Sequence, residues 1–123
     1  MADVKQGEIY WVDIPASHIE GAEIYKRRPY IIVSRTLINR ACKTVVGVPM
    51  TTTEGNDPPH RIQIPAREII RDIAFNGEIK DSVAKTDQIR VLDKSRLERR
   101  MGTLSMTAIV AVGLGLEYLF DIR

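Results

Sequence analysis

The amino-acid sequence predicts a mainly β domain with appended helices: a small, mostly antiparallel barrel or twisted sheet of roughly five strands, with a helix at its C-terminal end. Three observations carry that prediction. Short runs of β-branched and aromatic residues are punctuated by Gly and Pro along most of the chain. The chain has 123 residues and 44% hydrophobic content, which suits one domain, 1–123, around one core. Only the final stretch, 106–120, is long and apolar enough to be a packed helix.

In chain order, Glu8-Ile9-Tyr10-Trp11-Val12-Asp13-Ile14 reads as the first strand, opened by Gly7 and closed by Pro15. Residues 16–28 form a long polar loop, and long loops in small domains are often functional. Residues 29–34 are a continuous apolar strand, as expected where both faces are covered. Residues 35–43 make a polar turn around Asn39. Thr44-Val45-Val46-Gly47-Val48-Pro49 is a further strand that runs out into Met50-Thr51-Thr52-Thr53. Its Pro49 belongs near a strand end or a bulge, not in a central ladder. Residues 54–59 are turn-rich, and His60-Arg61-Ile62-Gln63-Ile64 alternates as a strand. Residues 66–72 suit a short helical turn, and 82–92 reads as the last long strand. Asp93 caps a short helix over 94–100, and Ser105 caps the final one over 106–120.

From Met106 to Leu116 only Thr107 is polar. The stretch is too short to span a membrane, which takes about 20 apolar residues. A helix apolar nearly all round is buried on more than one side. One side packs on the sheet, and the other is expected to pack on a second copy, giving a homodimer. Gly113 and Gly115 weaken the helix by about 1 kcal/mol each relative to Ala, and close approach of another backbone explains them.

The net charge is only +2, so its distribution says more than its total. No Asp or Glu occurs from Ile24 to Thr53, while Lys26, Arg27, Arg28, Arg35, Arg40 and Lys43 do. A second basic run, Arg90 to Arg100, holds Lys94, Arg96, Arg99 and Arg100 against Asp93 and Glu98. Local positive stretches on a nearly neutral chain suggest a phosphate-binding face. The lone Cys42 excludes an internal disulfide, and no His or Cys spacing fits a metal site, so no metal or cofactor is expected. The N-terminus runs directly into a strand pattern without a signal-peptide pattern, and a cytoplasmic protein with no membrane role is expected.

The most telling stretch is Gly21-Ala22-Glu23-Ile24-Tyr25-Lys26-Arg27-Arg28-Pro29. Pro29 fixes its own φ and pushes Arg28 towards an extended conformation at the mouth of a strand. A guanidinium held there is well placed to bind an anion, although a solvated basic loop has even odds on these residues alone.

Taken together, Gly7 to Asp13, Gly21-x-Glu23, Arg28-Pro29 before an apolar strand, Val48-Pro49-Met50-Thr51-Thr52, Ser82-Val83 and Asp87-Gln88-Ile89-Arg90 resemble the MazF/PemK (Kid-like) toxin family over nearly the whole chain. The resemblance implies an SH3-like barrel with appended helices, a homodimer, and ribosome-independent cleavage of single-stranded RNA. It also implies a cognate MazE/PemI-like antitoxin that blocks the RNA groove, and operator DNA binding only through the antitoxin complex. Arg28 and Thr51 fall on the family's catalytic positions, and Glu23 on the acid of the first loop. Asp87 and Gln88 fall on the substrate-binding pair of the late strand. Lys85 sits where the Kid branch has an arginine involved in catalysis. Lys26, Arg27 and Thr52 complete the expected RNA-binding set. The chain departs from the family at Ile24, where Gln is frequent, and at Lys26, where Gly often precedes the arginine. Neither histidine falls on the first-loop histidine of some relatives; that position is Ala22.

The chemistry is coherent in its own right. RNA cleavage without metal uses the 2′-OH as nucleophile, and needs a base, a cation for the phosphorane and an acid for the 5′ oxygen. Arg28 suits the cation, since its fork matches two phosphate oxygens and the group does not deprotonate in proteins. Thr51 can donate a hydroxyl to the same phosphate, and Glu23 is the obvious base. Lys85, Arg27 and water are the candidate acids. Against these roles, Thr51 could be an ordinary β-branched strand-end residue and Asp87 a turn-stabilising acid. His18 and His60 as a two-histidine ribonuclease pair has odds of about one in ten, since imidazoles of that kind are more often surface or RNA-contacting groups. Tyr25 and Tyr30 could stack on bases, whereas Tyr10 and Trp11 suit the core. Two rival functions are a gyrase poison of the same fold, as in the CcdB branch, and a nuclease-dead relative that only binds its partner.

Overall fold

The structure is a computed structural model that describes residues 3–15, 17, 20–21, 26–52, 55 and 57–121. Eight strands are joined as β4-β6-β3-β2-β1-β8-β5, with β7 also on β3, and every pairing is antiparallel. The strands are β1 (Glu8–Ile14), β2 (Lys26–Ile32), β3 (Thr44–Thr52), β4 (Ile62–Ile64), β5 (Ile69–Arg71), β6 (Ser82–Ala84), β7 (Arg90–Asp93) and β8 (Leu97–Leu104). Among the described residues two α-helices complete it, α1 (Thr36–Ala41) and α2 (Met106–Phe120). The two end strands, β4 and β5, are linked through Pro65 and the 3-10 turn Ala66–Glu68, so the sheet curls into a nearly closed barrel.

The central strands are buried on both faces, as their continuous apolar runs require. Ile9, Ile31, Val48 and Met50 pack with Ala108 and Val112 of α2 on one side. Val12, Ile14, Tyr30, Ile32, Val45 and Leu92 fill a second cluster on the other. Tyr30 is thus fully buried and cannot stack on bases, contrary to the reading from sequence. Trp11 packs against the first cluster and Tyr10 against the second, as expected.

Several boundaries differ from the sequence reading. Strand β2 begins at Lys26, not at residue 29, because β1 pairs with it from Ile14↔Lys26 onwards. Residues 36–41 are helical rather than a turn, with Asn39 buried beneath them. Its Nδ2 donates to the carbonyls of Val4 and Ser34, both at 3.0 Å, and its Oδ1 accepts from Ser34 Oγ. Residues 60 and 61 stay in a turn, so β4 is only three residues long. After the 66–68 turn the chain enters β5 instead of remaining helical.

The expected strand over 82–92 is broken in two. Met50 pairs with Ala84 and Gly47 with Arg90, so three steps along β3 face six along the other chain. The excess is taken up by the 3-10 turn Thr86–Gln88. Pro49 lies opposite that turn, and its carbonyl accepts from Lys85 N at 2.9 Å. In an antiparallel strand the N and C=O of one residue point to the same edge. The missing N–H of Pro49 therefore faces the interrupted part of the ladder, which is why a proline is tolerated mid-strand.

Asp93 does cap a turn, accepting from Ser95 N at 2.9 Å, but the turn ends at Arg96 and the chain then forms β8. Pairing with β1 at Leu97 and Arg100 outweighs the weak helical pattern of 94–100, and β5 adds a second edge from Gly102 on. Ser105 caps α2 as expected: its Oγ accepts from Ala108 N at 3.1 Å and donates to Glu68 Oε1 at 2.7 Å. Among the described residues no helix is long and apolar enough to cross a membrane.

Helix α2 buries Ala108, Val112 and Gly115 and leaves Met106, Val110, Leu114 and Tyr118 exposed at four-residue steps. A Cβ on Gly115 would sit 2.7 Å from Ile62 Cγ1 and 2.9 Å from the His60 carbonyl, so close approach explains this glycine. Nothing lies within 4 Å of the corresponding point on Gly113. Gly115→Ala is therefore expected to destabilise the fold by about 1–3 kcal/mol through overpacking, even though Ala is the better helix former. Urea denaturation of the two proteins checks it.

Candidate active site

Arg28 and Thr51 come from different strands and line one cleft. In β2, Arg28 stands opposite Val12; in β3, Thr51 stands opposite Val83. Between them opens a cleft of about 220 Å³, walled also by Trp11, Thr52, Glu78 and Lys80. The Nε of Arg28 is buried and has no hydrogen-bond partner among the described residues. A buried unpartnered donor is rare in folded proteins, so this one sets Arg28 apart from the other described arginines. Strand position, with Pro29 next in sequence, limits how far the guanidinium can swing.

The three cations of the basic run do not form one face. They sit on β2, where successive side chains point to opposite sides. Arg27 Nε donates to Glu98 Oε1 at 2.7 Å, and its guanidinium lies 5.0 Å from the centre of the Trp11 ring. Lys26 is exposed with φ at +70°, a left-handed conformation. Of the second basic run, Arg100 is held by Glu8 Oε2 at 2.5 Å and Asp72 Oδ2 at 2.9 Å, which pushes its pKa up and that of Asp72 down.

Asp87, Gln88 and Lys85 lie in or beside the 86–88 turn and outside the cleft lining. Asp87 is clamped by Arg61 through Nε–Oδ1 at 2.8 Å and Nη2–Oδ2 at 2.7 Å, with His60 Nε2 at 3.4 Å from Oδ1. Thr86 Oγ1 donates to the His60 carbonyl, so the turn and the 58–61 segment are tied together. The turn-stabilising role weighed for Asp87 is therefore present in the structure. Glu23 lies outside the described residues, as do His18, Ala22, Ile24 and Tyr25. Cys42 is free and exposed.

The sequence reading passed over Glu78 and Lys80, and used Ser82 as part of a motif but not as a site residue. All three line the cleft, at two-residue spacing. That spacing before a strand, with opposite charges at its first two positions, was the available signal.

The Arg61 hydrogen bonds hold the Asp87 carboxyl at about 2, below its ordinary 3.8, against an opposing effect of burial. A depressed carboxylate stabilises the fold above its unfolded pKa and loses that contribution as pH falls through the folded value. Asp87→Asn is expected to cost about 1–2 kcal/mol at pH 7, a figure reduced for the partial exposure of the pair. The gap between the proteins should close as pH drops from about 4 to about 2. Chemical denaturation across that range measures it.

Residues 5–120 match the model of the PemK-like, MazF-like toxins of type II toxin–antitoxin systems. The Endoribonuclease MazF of Staphylococcus epidermidis is 29% identical over 114 residues, covering 93% of this chain and 88% of that protein. The crystal structure of MazF from Deinococcus radiodurans superposes with a TM-score of 0.76 at 20% identity, over 99% of this chain and 100% of that one. An endoribonuclease from a Mycobacterial species, solved in complex with its cognate antitoxin, gives 0.74 at 20% identity, over 100% and 98%.

Proposed function

This chain belongs to the family of PemK-like, MazF-like toxins of type II toxin–antitoxin systems, and we propose that it is a metal-independent endoribonuclease that cuts single-stranded RNA through the substrate's own 2′-OH. The observation that carries the reading is the pairing of Arg28 and Thr51 across one cleft, with a buried guanidinium nitrogen that has no described partner. Arg28 takes two oxygens of the scissile phosphate and stabilises the charge of the phosphorane. Thr51 donates its hydroxyl to the same group, and Thr52 lines the way in. Glu23 accepts the 2′-OH proton. Lys26, Arg27, Lys85, Asp87 and Gln88 contact the RNA on either side of the cut. A binding-only relative or a gyrase poison would have no use for such a cleft.

The partner of the reading is a cognate MazE/PemI-like antitoxin that covers the RNA-binding surface, with operator DNA bound only by that complex. The protein acts in the cytoplasm as a homodimer. The dimer rests on α2, whose Met106, Val110, Leu114 and Tyr118 leave an apolar stripe in water. Light scattering at micromolar concentration should return a dimer mass for the native chain and a lower mass for Leu114→Lys. A monomeric native chain would contradict the reading.

Arg28→Ala and Thr51→Ala are each expected to lower cleavage about 100-fold or more, the loss of a transition-state donor, with unchanged thermal melts. Cleavage should survive EDTA and leave a 2′,3′-cyclic phosphate and a 5′-OH. A single 2′-deoxy substitution 5′ to the cut should stop cleavage but weaken binding by only about 0.5–1.5 kcal/mol, the worth of one hydrogen bond. A 5′-phosphate product, or normal cutting of the deoxy RNA, would make water the nucleophile.

A further inference from the structure

The proposed chemistry leaves one proton without a source. As the P–O5′ bond breaks, the departing oxygen must be protonated or leave as an alkoxide. Neither cationic candidate from the sequence is well placed. Arg27 is bound to Glu98 and stacked on Trp11. Lys85 is not among the residues that line the cleft.

The cleft does contain another ammonium group. We infer that Lys80 is the general acid that protonates the leaving 5′ oxygen, an assignment that rests on the cleavage reading above. Its direction is set by its neighbours. Ile79 packs against the core, and Asp81 Oδ1 accepts from Ala66 N at 2.8 Å. With both flanking side chains anchored elsewhere, alternation turns Glu78, Lys80 and Ser82 into the cleft. Ser82 Oγ donates to the Lys80 carbonyl at 2.9 Å and fixes its backbone. Ser82 opens β6 and is itself paired with Thr52, next to Thr51 in β3, so Lys80 stands two residues before the β6 position that pairs beside the site. Among the described residues Lys80 has no ion pair that would hold it away.

The step balances. Glu23 takes the 2′-OH proton as the O2′–P bond forms. The P–O5′ bond breaks, and Lys80 passes one ammonium proton to O5′. The products are the cyclic phosphate and a 5′-OH; the glutamic acid and the neutral amine exchange protons with solvent to reset.

The test uses the full chain and two RNAs of the same sequence, one with the natural oxygen and one with sulfur at the 5′ bridging position of the cut. A thiolate leaves without protonation, so it needs no acid. Lys80→Ala is expected to slow the oxygen RNA about 100-fold or more and the sulfur RNA by less than about threefold, in the range of acid catalysis by one group. Arg28→Ala should slow both. Lys80 is exposed, so the variant is expected to fold, and its melting curve confirms it. Equal slowing of both RNAs by Lys80→Ala would make Lys80 a phosphate contact and overturn the assignment, as would no slowing of either. A native protein that cuts neither RNA overturns the cleavage reading itself.

Discussion

The nine residues of β3 pair with three strands, and the cleft lies where one partner gives way to the next. The 86–88 turn interrupts what would otherwise be a single ladder of residues 82–93 along β3. The turn splits that ladder into β7 and β6. The end of β3 pairs with β6, which in turn pairs with β4, and this end lines the cleft with Arg28. What holds the turn is polar: the Arg61 fork on Asp87 and the Thr86 hydroxyl on the His60 carbonyl. That ion pair lies outside the cleft lining and acts on the turn. A bidentate arginine–carboxylate pair suits this work because it fixes direction as well as distance.

A second polar network holds the opposite end of the sheet. Glu8 is almost fully buried, which would be costly for a lone carboxylate. Its Oε1 accepts from Lys5 N at 2.7 Å and Tyr10 Oη at 3.0 Å, and its Oε2 from Arg100. Arg100 also reaches Asp72 Oδ2, so one guanidinium joins β1, β8 and the segment after β5. Burial beside Glu8 pushes the Tyr10 hydroxyl up to about 12, which keeps it a donor. Networks of this kind contribute specificity of register more than net stability. Here they sit where β1 and β8 slip register.

Much of the plan was legible in the sequence, for physical reasons that can be named. β1 kept its expected bounds because Gly7 and Pro15 bracket an uninterrupted β-rich run. The Ser105 cap and the all-round apolar 106–116 placed α2 equally well. What failed was pattern shorter than a turn. Residues 94–100 follow a capping aspartate and carry helix-tolerant cations, yet pairing with β1 makes Leu97 onwards a strand, which β5 joins from Gly102. The 86–88 turn is invisible because its cause is a register count between distant strands, not a local preference. The cleft shows the same division. Arg28, Thr51 and Thr52 were found through motif and strand ends. Glu78 and Lys80 were missed because they lie on an irregular stretch, where only the neighbours Ile79 and Asp81 fix which way they point.

Lys26 takes a backbone conformation that more often falls to glycine. Its φ of +70° lies where a side chain costs about 1 kcal/mol or more and glycine costs little. Gly is frequent shortly before the arginine in the resembled family, and this chain has Lys26 there. In the structure Lys26 itself takes the left-handed conformation. Such strain persists only where the surroundings over-determine the conformation. Here the determinants are the pairing of Lys26 with Ile14 and the fixed φ of Pro29 three residues on. The Arg28 backbone is confined between those two constraints, so the phosphate contact proposed for it would cost little backbone freedom. Rigidity acquired during folding is then not a cost of binding, which is the physical sense in which this arginine is prepared for an anion.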